Sequence, residues 1–185
     1  MPYSIDQSYT TGQDNADGSG IGNLRRAANN NIILAQSFTP TILGTLPQFD
    51  FYMKKVSTPT GNIWAQIFTD AGGPGTGVQL GSDSATVDVS TVSTSYVYQS
   101  FTFSSTINIS PSTKYWAYLL GDYTIAIDVG VYVGIDTSSP TYAGGNYGRY
   151  GNGGAAWEDV PTYCALFKQY YIPTAGGAFL YNFVR

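Results

Sequence analysis

From residue 31 onward, apolar and polar residues alternate in short runs, the period of a half-buried β-strand. In 48–56, Phe49, Phe51 and Met53 share one face. In 63–69, Ile63, Ala65 and Ile67 oppose Trp64, Gln66 and Phe68. In 95–103, Val97, Gln99, Phe101 and Phe103 oppose Tyr96, Tyr98, Ser100 and Thr102. Further strands are predicted over 32–39, 78–80, 85–89, 107–110, 114–120, 123–135 and 163–171. The run 114–120 is apolar on both faces, as a central strand would be. Pro40, Gly61-Asn62, the stretch 71–77 and Pro111 supply the breaks between them. Short strands at this spacing predict an all-β protein, a single antiparallel β-sandwich of jelly-roll type.

The two ends depart from that pattern. Residues 1–31 are polar and rich in Gly, Asp and Asn, with no sustained period of two or 3.6. They are predicted to be an N-terminal arm. Such an arm is ordered only when its own domain, a sister subunit or a foreign partner ties it down. After Pro173 comes an apolar tail strand over 178–184. An apolar terminal strand is a liability unless it is paired, either in its own sheet or along a neighbour's edge. The expected division is therefore an arm (1–31), a sandwich (32–172) and a C-terminal arm or strand (173–185). Arg25, Arg26, Phe179, Leu180, Tyr181 and Phe183 are the expected assembly contacts.

Composition sharpens this picture. Among 185 residues, 16 are Tyr, 22 are Gly and Glu158 is the only glutamate. Aromatic and β-branched residues suit a pleated sheet, and glycines suit its turns. There is no histidine, which removes Ser-His-Asp and Cys-His nucleophile systems and every His-ligated metal site. The single cysteine, Cys164, leaves no disulfide within the chain; it reads as a small buried apolar residue. The formal charge is -4, and 8 Lys plus Arg scattered along the chain make no basic stripe for nucleic acid. No apolar run approaches a membrane-spanning helix. The start, Met1-Pro2-Tyr3-Ser4-Ile5-Asp6, lacks the pattern of a secretory signal. The expectation is a chain made in the cytoplasm that either acts there or leaves the cell by another route, such as release inside a virus particle.

Candidate chemistry concentrates in the Gly/Tyr-rich stretch 141–154 and just beyond. Tyr147, Arg149, Tyr150 and Trp157 are the expected ligand-binding residues. Flat rings stack on sugars, and tyrosine gives contact area at low entropic cost. The plainer reading makes Tyr142 and Trp157 plugs at the sandwich end, with glycines only shaping turns. A calcium loop fits poorly: Asn15, Asp17 and Gly18 match the pattern, but Gln13 and Leu24 stand where ligands are needed. Asp128 interrupts an apolar strand, yet an outward-facing residue on a sheet explains it better than glycoside hydrolysis. Asn108-Ile109-Ser110 fits a glycosylation acceptor, without a secretion signal to use it. No catalytic residue, cofactor or metal is expected.

Several stretches resemble the choice-of-anchor R β-sandwich modules of bacteria, archaea and phages. They are Gln36-Ser-Phe-Thr-Pro40, Ser57-Thr-Pro-Thr-Gly-Asn-Ile63, Ala71-Gly-Gly-Pro-Gly75 and Ser95-Tyr96 to Phe103. Ser112-Thr-Lys-Tyr-Trp116, Tyr142-Ala-Gly-Gly145 and Gly153 to Trp157 continue the series. The resemblance runs from about residue 33 to 172 and implies an interaction domain. Its usual setting is a long secreted protein, whereas a small sandwich with arms resembles a tailed-phage virion component. The leading expectation is thus a non-enzymatic particle subunit that decorates or stitches a capsid or tail, with virion proteins as partners in a homo- or hetero-oligomer. The alternative is a carbohydrate- or cell-surface-binding module that takes cell-surface glycans. Neither nucleic acid nor membrane is an expected partner.

Overall fold

A computed structural model describes residues 3–14, 34–123, 129–150 and 156–174, together with the backbone of 23–24, 26–27 and 30–31. Ten strands of four or more residues carry the fold. They are β1 (Ser4–Tyr9), β2 (Leu34–Phe38), β3 (Gln48–Val56), β4 (Asn62–Thr69) and β5 (Val97–Thr102). β6 (Tyr115–Gly121), β7 (Gly130–Val133), β8 (Tyr147–Tyr150), β9 (Trp157–Val160) and β10 (Phe167–Pro173) follow. No α-helix occurs among the described residues; Val89–Thr91 is a single 3-10 turn. The fold class is the all-β antiparallel sandwich that the alternation implies.

The second sheet runs β4–β6–β2–β8–β9. In the first, β5 pairs with one edge of β3, while β7 and β10 share the other edge; β1 then flanks β10. Apart from the β8–β9 hairpin, successive strands of this series lie in opposite sheets. Most connections therefore cross the sandwich, and both layers are built from residues far apart in sequence.

The sharing of one edge of β3 needs a fork, and it lies at Tyr52. Gly134 N–H donates to the Tyr52 carbonyl at 2.7 Å, and Tyr52 N–H donates to Leu166 O at 3.0 Å. Leu166 N–H closes the loop on Gly134 O at 2.9 Å. Beyond the fork, Ile135 pairs with Ala165 and Asp136 with Cys164. Ala165 N–H donates to Gln36 Oε1 at 2.7 Å, so a wholly buried glutamine serves a backbone group that the fork leaves unpaired. The run 163–171, expected as one strand, is thus two, broken at Leu166.

Between the sheets lies an aromatic core. Phe49 stacks on Phe167 at 5.2 Å and contacts Phe38 and Phe51 at 5.4 and 5.0 Å. Phe51 meets Phe101 edge-on at 6.1 Å. All five rings are fully buried. Each contributes about 1.5–3 kcal/mol through area removed from water, and their geometry adds pairwise terms. The inward set Phe49, Phe51, Met53, Ile63, Ala65 and Ile67 is wholly buried, as its period implies.

The expected arm boundary at residue 32 does not hold for the start of the chain. Ser4–Tyr9 is an edge strand of the sandwich, paired antiparallel with β10 from Ser4↔Tyr171 to Tyr9↔Phe167, with a register shift between Ile5 and Gln7. Asn23 and Leu24 pair with Tyr132 and Val131. An edge strand gains from backbone hydrogen bonds without needing an apolar face, which is why polar residues suffice. Tyr9 is the buried exception: its hydroxyl donates to Asp136, which is 3% exposed. Asp136 also accepts from Ser138 N and Ser139 N, both at 3.1 Å. Burial raises its pKa, but these donors outweigh burial and hold it below the usual carboxylate range. The chain's own domain is what ties this segment down.

Candidate functional site

Trp116, Tyr118 and Leu120 alternate along β6 with Tyr115, Ala117 and Leu119. The second set faces the main core, and the first faces away from it. Yet Trp116 and Tyr118 are buried, at 0% and 3% exposure. With Ala35 they form a separate cluster on the outer side of the second sheet, joined by Phe68, Leu120 and Trp157.

The glycine-rich loop over 70–77 covers this cluster. Asp70 Oδ1 accepts from the Trp116 indole N–H at 2.7 Å and from Gly73 N–H at 3.1 Å. Gly75 N–H donates to the Tyr118 hydroxyl at 2.6 Å. Gly75 has φ +81, and a Cβ there would fall 1.9 Å from Trp157 Cδ1. Only glycine supplies that backbone and that clearance. Gly148 plays the matching part on β8, where a Cβ would meet Pro74 and Trp116 at 3.1 Å. Small residues at Ala35 and Gly148 leave the trough, and Pro74 and Trp157 fill it.

Ring contacts run outward from this trough to the hairpin rim. Phe68 stacks on Tyr118 at 4.4 Å, Tyr118 meets Trp157 at 4.8 Å, and Trp157 meets Tyr150 edge-on at 5.6 Å. Trp157 and Tyr150 are half-buried cross-strand partners. Two residues on along each strand, Gly148 pairs with Asp159. A strand's side chains repeat every two residues, so the exposed Asp159 shares the face of Trp157. Asn146 Nδ2 donates to both Asp159 oxygens, at 3.1 and 3.2 Å. Two ring systems and an amide–carboxylate pair thus sit along one rim, with the backbone of Gly75 and Thr76 beside it.

The four expected ligand residues do not converge. Tyr150 and Trp157 do. Tyr147 is 3% exposed within the main core, so its ring is unavailable to a ligand. Arg149 alternates to the other side of the hairpin, where Nε contacts Glu158 Oε2 at 2.6 Å. The Gly/Tyr-rich stretch is in part the strand β8, and the parity of that strand separates these side chains. Tyr142 does act as a plug: it meets Phe167 edge-on at 5.2 Å and its hydroxyl donates to Gln7 at 3.3 Å. Burial raises its pKa. Cys164 is 1% exposed, and burial raises its thiol likewise. Strand register brings Asp159 to the rim, whereas Asn146, Asp70 and Gly75 join it through loop hydrogen bonds that no local sequence pattern announces.

Arg25, the side chain of Arg26, Asp128 and Phe179, Leu180, Tyr181 and Phe183 lie outside the described residues. So do Asn15, Asp17 and Gly18 of the calcium-like stretch. Among the described residues, no three His, Cys, Asp or Glu side chains gather as a metal site would need, and no helix is long and apolar enough to cross a membrane. Comparison with family models, with curated proteins and with solved structures gave no match for this chain.

Proposed function

We propose that the protein is a non-enzymatic recognition module that binds carbohydrate at the rim of the β8–β9 hairpin. The observation that carries this reading is the line of Tyr150, Trp157, Asp159 and Asn146 along one face of the paired strands β8 and β9. A sugar ring stacks on one of the two half-buried rings, which stand edge-on to each other, while the second ring walls its side, and its hydroxyls donate to Asp159 and accept from Asn146. Gly75 packs directly against the Trp157 ring, which lowers the ordering cost left to binding. The resemblance to choice-of-anchor R domains accords with an interaction role. A glycan-array screen tests it: Tyr150→Ala and Asp159→Asn should each abolish the hits of the unaltered protein while leaving its thermal transition nearly unchanged. A blank array for the unaltered protein sinks the reading.

A second reading, a structural subunit of a phage particle, is favoured by a different surface. Tyr3 and Ile5 on the outer edge of the first sheet are 45% and 48% exposed, and Ile42 and Leu43 nearby are 36% and 57% exposed. Asp6 holds Thr41 against β1, so these apolar residues lie close together. A groove of ≈ 210 Å³ opens beside them, lined in part by Tyr3, Leu46, Phe103 and Ile172. An apolar patch beside a sheet edge suits assembly by edge contact. Light scattering distinguishes the outcomes: an oligomer that Ile5→Lys and Leu43→Lys dissociate supports it, and a monomer at high concentration removes it.

A further inference from the structure

We propose that the hairpin rim selects a sugar that bears an ammonium, a hexosamine with its amine free, over neutral and acidic sugars. The inference rests on the carbohydrate reading of this site and deepens it. Trp157 and Tyr150 stand at 76° with their centres 5.6 Å apart, so the two rings form a corner rather than a flat platform. The π face of an aromatic ring is negative and attracts a cation, most strongly for tryptophan. Asp159 follows Trp157 by two residues on the same face of β9, about 7 Å along the strand. One sugar ring bridges that span, with its body in the corner and its amine at the carboxylate.

The carboxylate has room for that amine. An ionised carboxylate offers about four lone-pair sites. Asn146 Nδ2 donates to Asp159 at 3.1 and 3.2 Å, and the residue is exposed, which leaves the remaining sites to solvent. A hydroxyl meets this carboxylate as a neutral donor. An ammonium adds unit-charge attraction and the pull of the ring quadrupole to the same contact.

Among the described side chains, no cation sits beside Asp159. Arg149 turns to the other side of the hairpin, where Glu158 holds it. Lys54, Lys55 and Lys168 belong to β3 and β10 of the first sheet. Lys114 lies over the Trp116 ring, 5.0 Å from its centre. Register carries the row of Asp159 through Gly148 and Ala35 to Tyr118, which is four residues beyond Lys114. Three strand spacings and four residue rises put roughly 20 Å between the backbones of Asp159 and Lys114, more than two Debye lengths at physiological salt. Asp159 therefore sets the sign of the rim. The net charge of -4 on the whole chain adds to it, so a uronate is repelled and an aminated sugar drawn in.

Isothermal titration calorimetry of the full chain tests the proposal with the glucosamine tetramer, its N-acetylated counterpart, cellotetraose, tetragalacturonate and choline. The glucosamine tetramer should bind about fivefold or more tighter than cellotetraose or the acetylated tetramer, from an exposed ion pair and one cation–π contact. Tetragalacturonate should bind weakest of the four sugars, and choline, an ammonium without the sugar, should bind more weakly than the glucosamine tetramer. Asp159→Asn should remove the preference for the free amine. Glu158→Gln, the same charge change on the hairpin's other side, should keep it. Equal binding by cellotetraose, the acetylated tetramer or tetragalacturonate overturns the proposal and leaves the carbohydrate reading standing. An equal loss in Glu158→Gln does the same, because the preference then belongs to the overall charge. Choline binding as tightly as the glucosamine tetramer overturns it too, since the sugar then adds nothing. If no sugar binds, the carbohydrate reading fails and the proposal with it. Should Asp159→Asn not fold, the free-amine and acetylated tetramers on the unaltered protein decide: equal affinities contradict the proposal.

Discussion

On the second sheet, Phe68, Tyr118, Trp157 and Tyr150 form a chain of ring contacts that a glycine-rich loop covers from one side. On the first, Tyr98, Tyr52 and Tyr96 form a comparable chain with a lysine at either end. Outer sheet faces of a sandwich are ordinarily polar. Both are aromatic here, and the difference lies in how each satisfies its polar atoms. The loop gives the Trp116 indole and the Tyr118 hydroxyl fixed partners. The Tyr98 hydroxyl has none among the described residues, although it is shielded from solvent. The covered face is a second small core that ends at an open rim; the other is an open layer organised by cations.

Breaking the covered face should therefore cost far more than breaking the open one. Trp116→Ala should lose about 3–5 kcal/mol, the usual cost of deleting a buried tryptophan, read by urea denaturation with an unchanged m-value. Gly75→Ala is expected to cost about 2 kcal/mol, from a strained positive φ and a clash with the Trp157 ring. It should also weaken sugar binding at the rim, because Trp157 must shift.

On the open face the sign reverses. Tyr98→Phe removes a hydroxyl that makes no hydrogen bond, so stability should stay level or rise by up to about 1 kcal/mol. This variant also has a pH signature. Burial, then the neighbouring Tyr52, Asp50 and Tyr170, push the Tyr98 phenol up to about 12. Folding resists its ionisation, so its contribution is intact below the ordinary tyrosine value of 10.0 and is lost as pH rises through about 12. Denaturation midpoints across that alkaline range should fall less steeply in Tyr98→Phe than in the unaltered protein. The smallest effect belongs to the exposed pair on the hairpin's other side. A double-mutant cycle on Arg149 and Glu158 should return about 0.5 kcal/mol or less, and neither change should touch sugar binding.

The layers of the sandwich were legible because alternation is local: Phe49, Phe51 and Met53 declare one buried face without any partner. Strand order was not, because the two strands sharing β3 come from residues 130–133 and 167–173, and nothing local pairs them with it. Ser4–Tyr9 escaped because an edge strand can bond through backbone alone. At the candidate site, the residue types were legible but their directions were not. Tyr147 and Tyr150 are three residues apart, which in a strand sends one inward and the other out. Asp159 became part of the rim only through its register with Gly148.

The most direct test of recognition at the hairpin rim is an amide and indole chemical-shift titration with an oligosaccharide taken from the glycan screen. The account expects saturable shifts at the Trp157 indole, at Asp159 and Asn146, and at the Gly75 and Thr76 amides, with Tyr52, Tyr96 and Tyr98 silent. Shifts centred on those three tyrosines, or spread over the Tyr3–Leu43 edge with the rim unmoved, would contradict it.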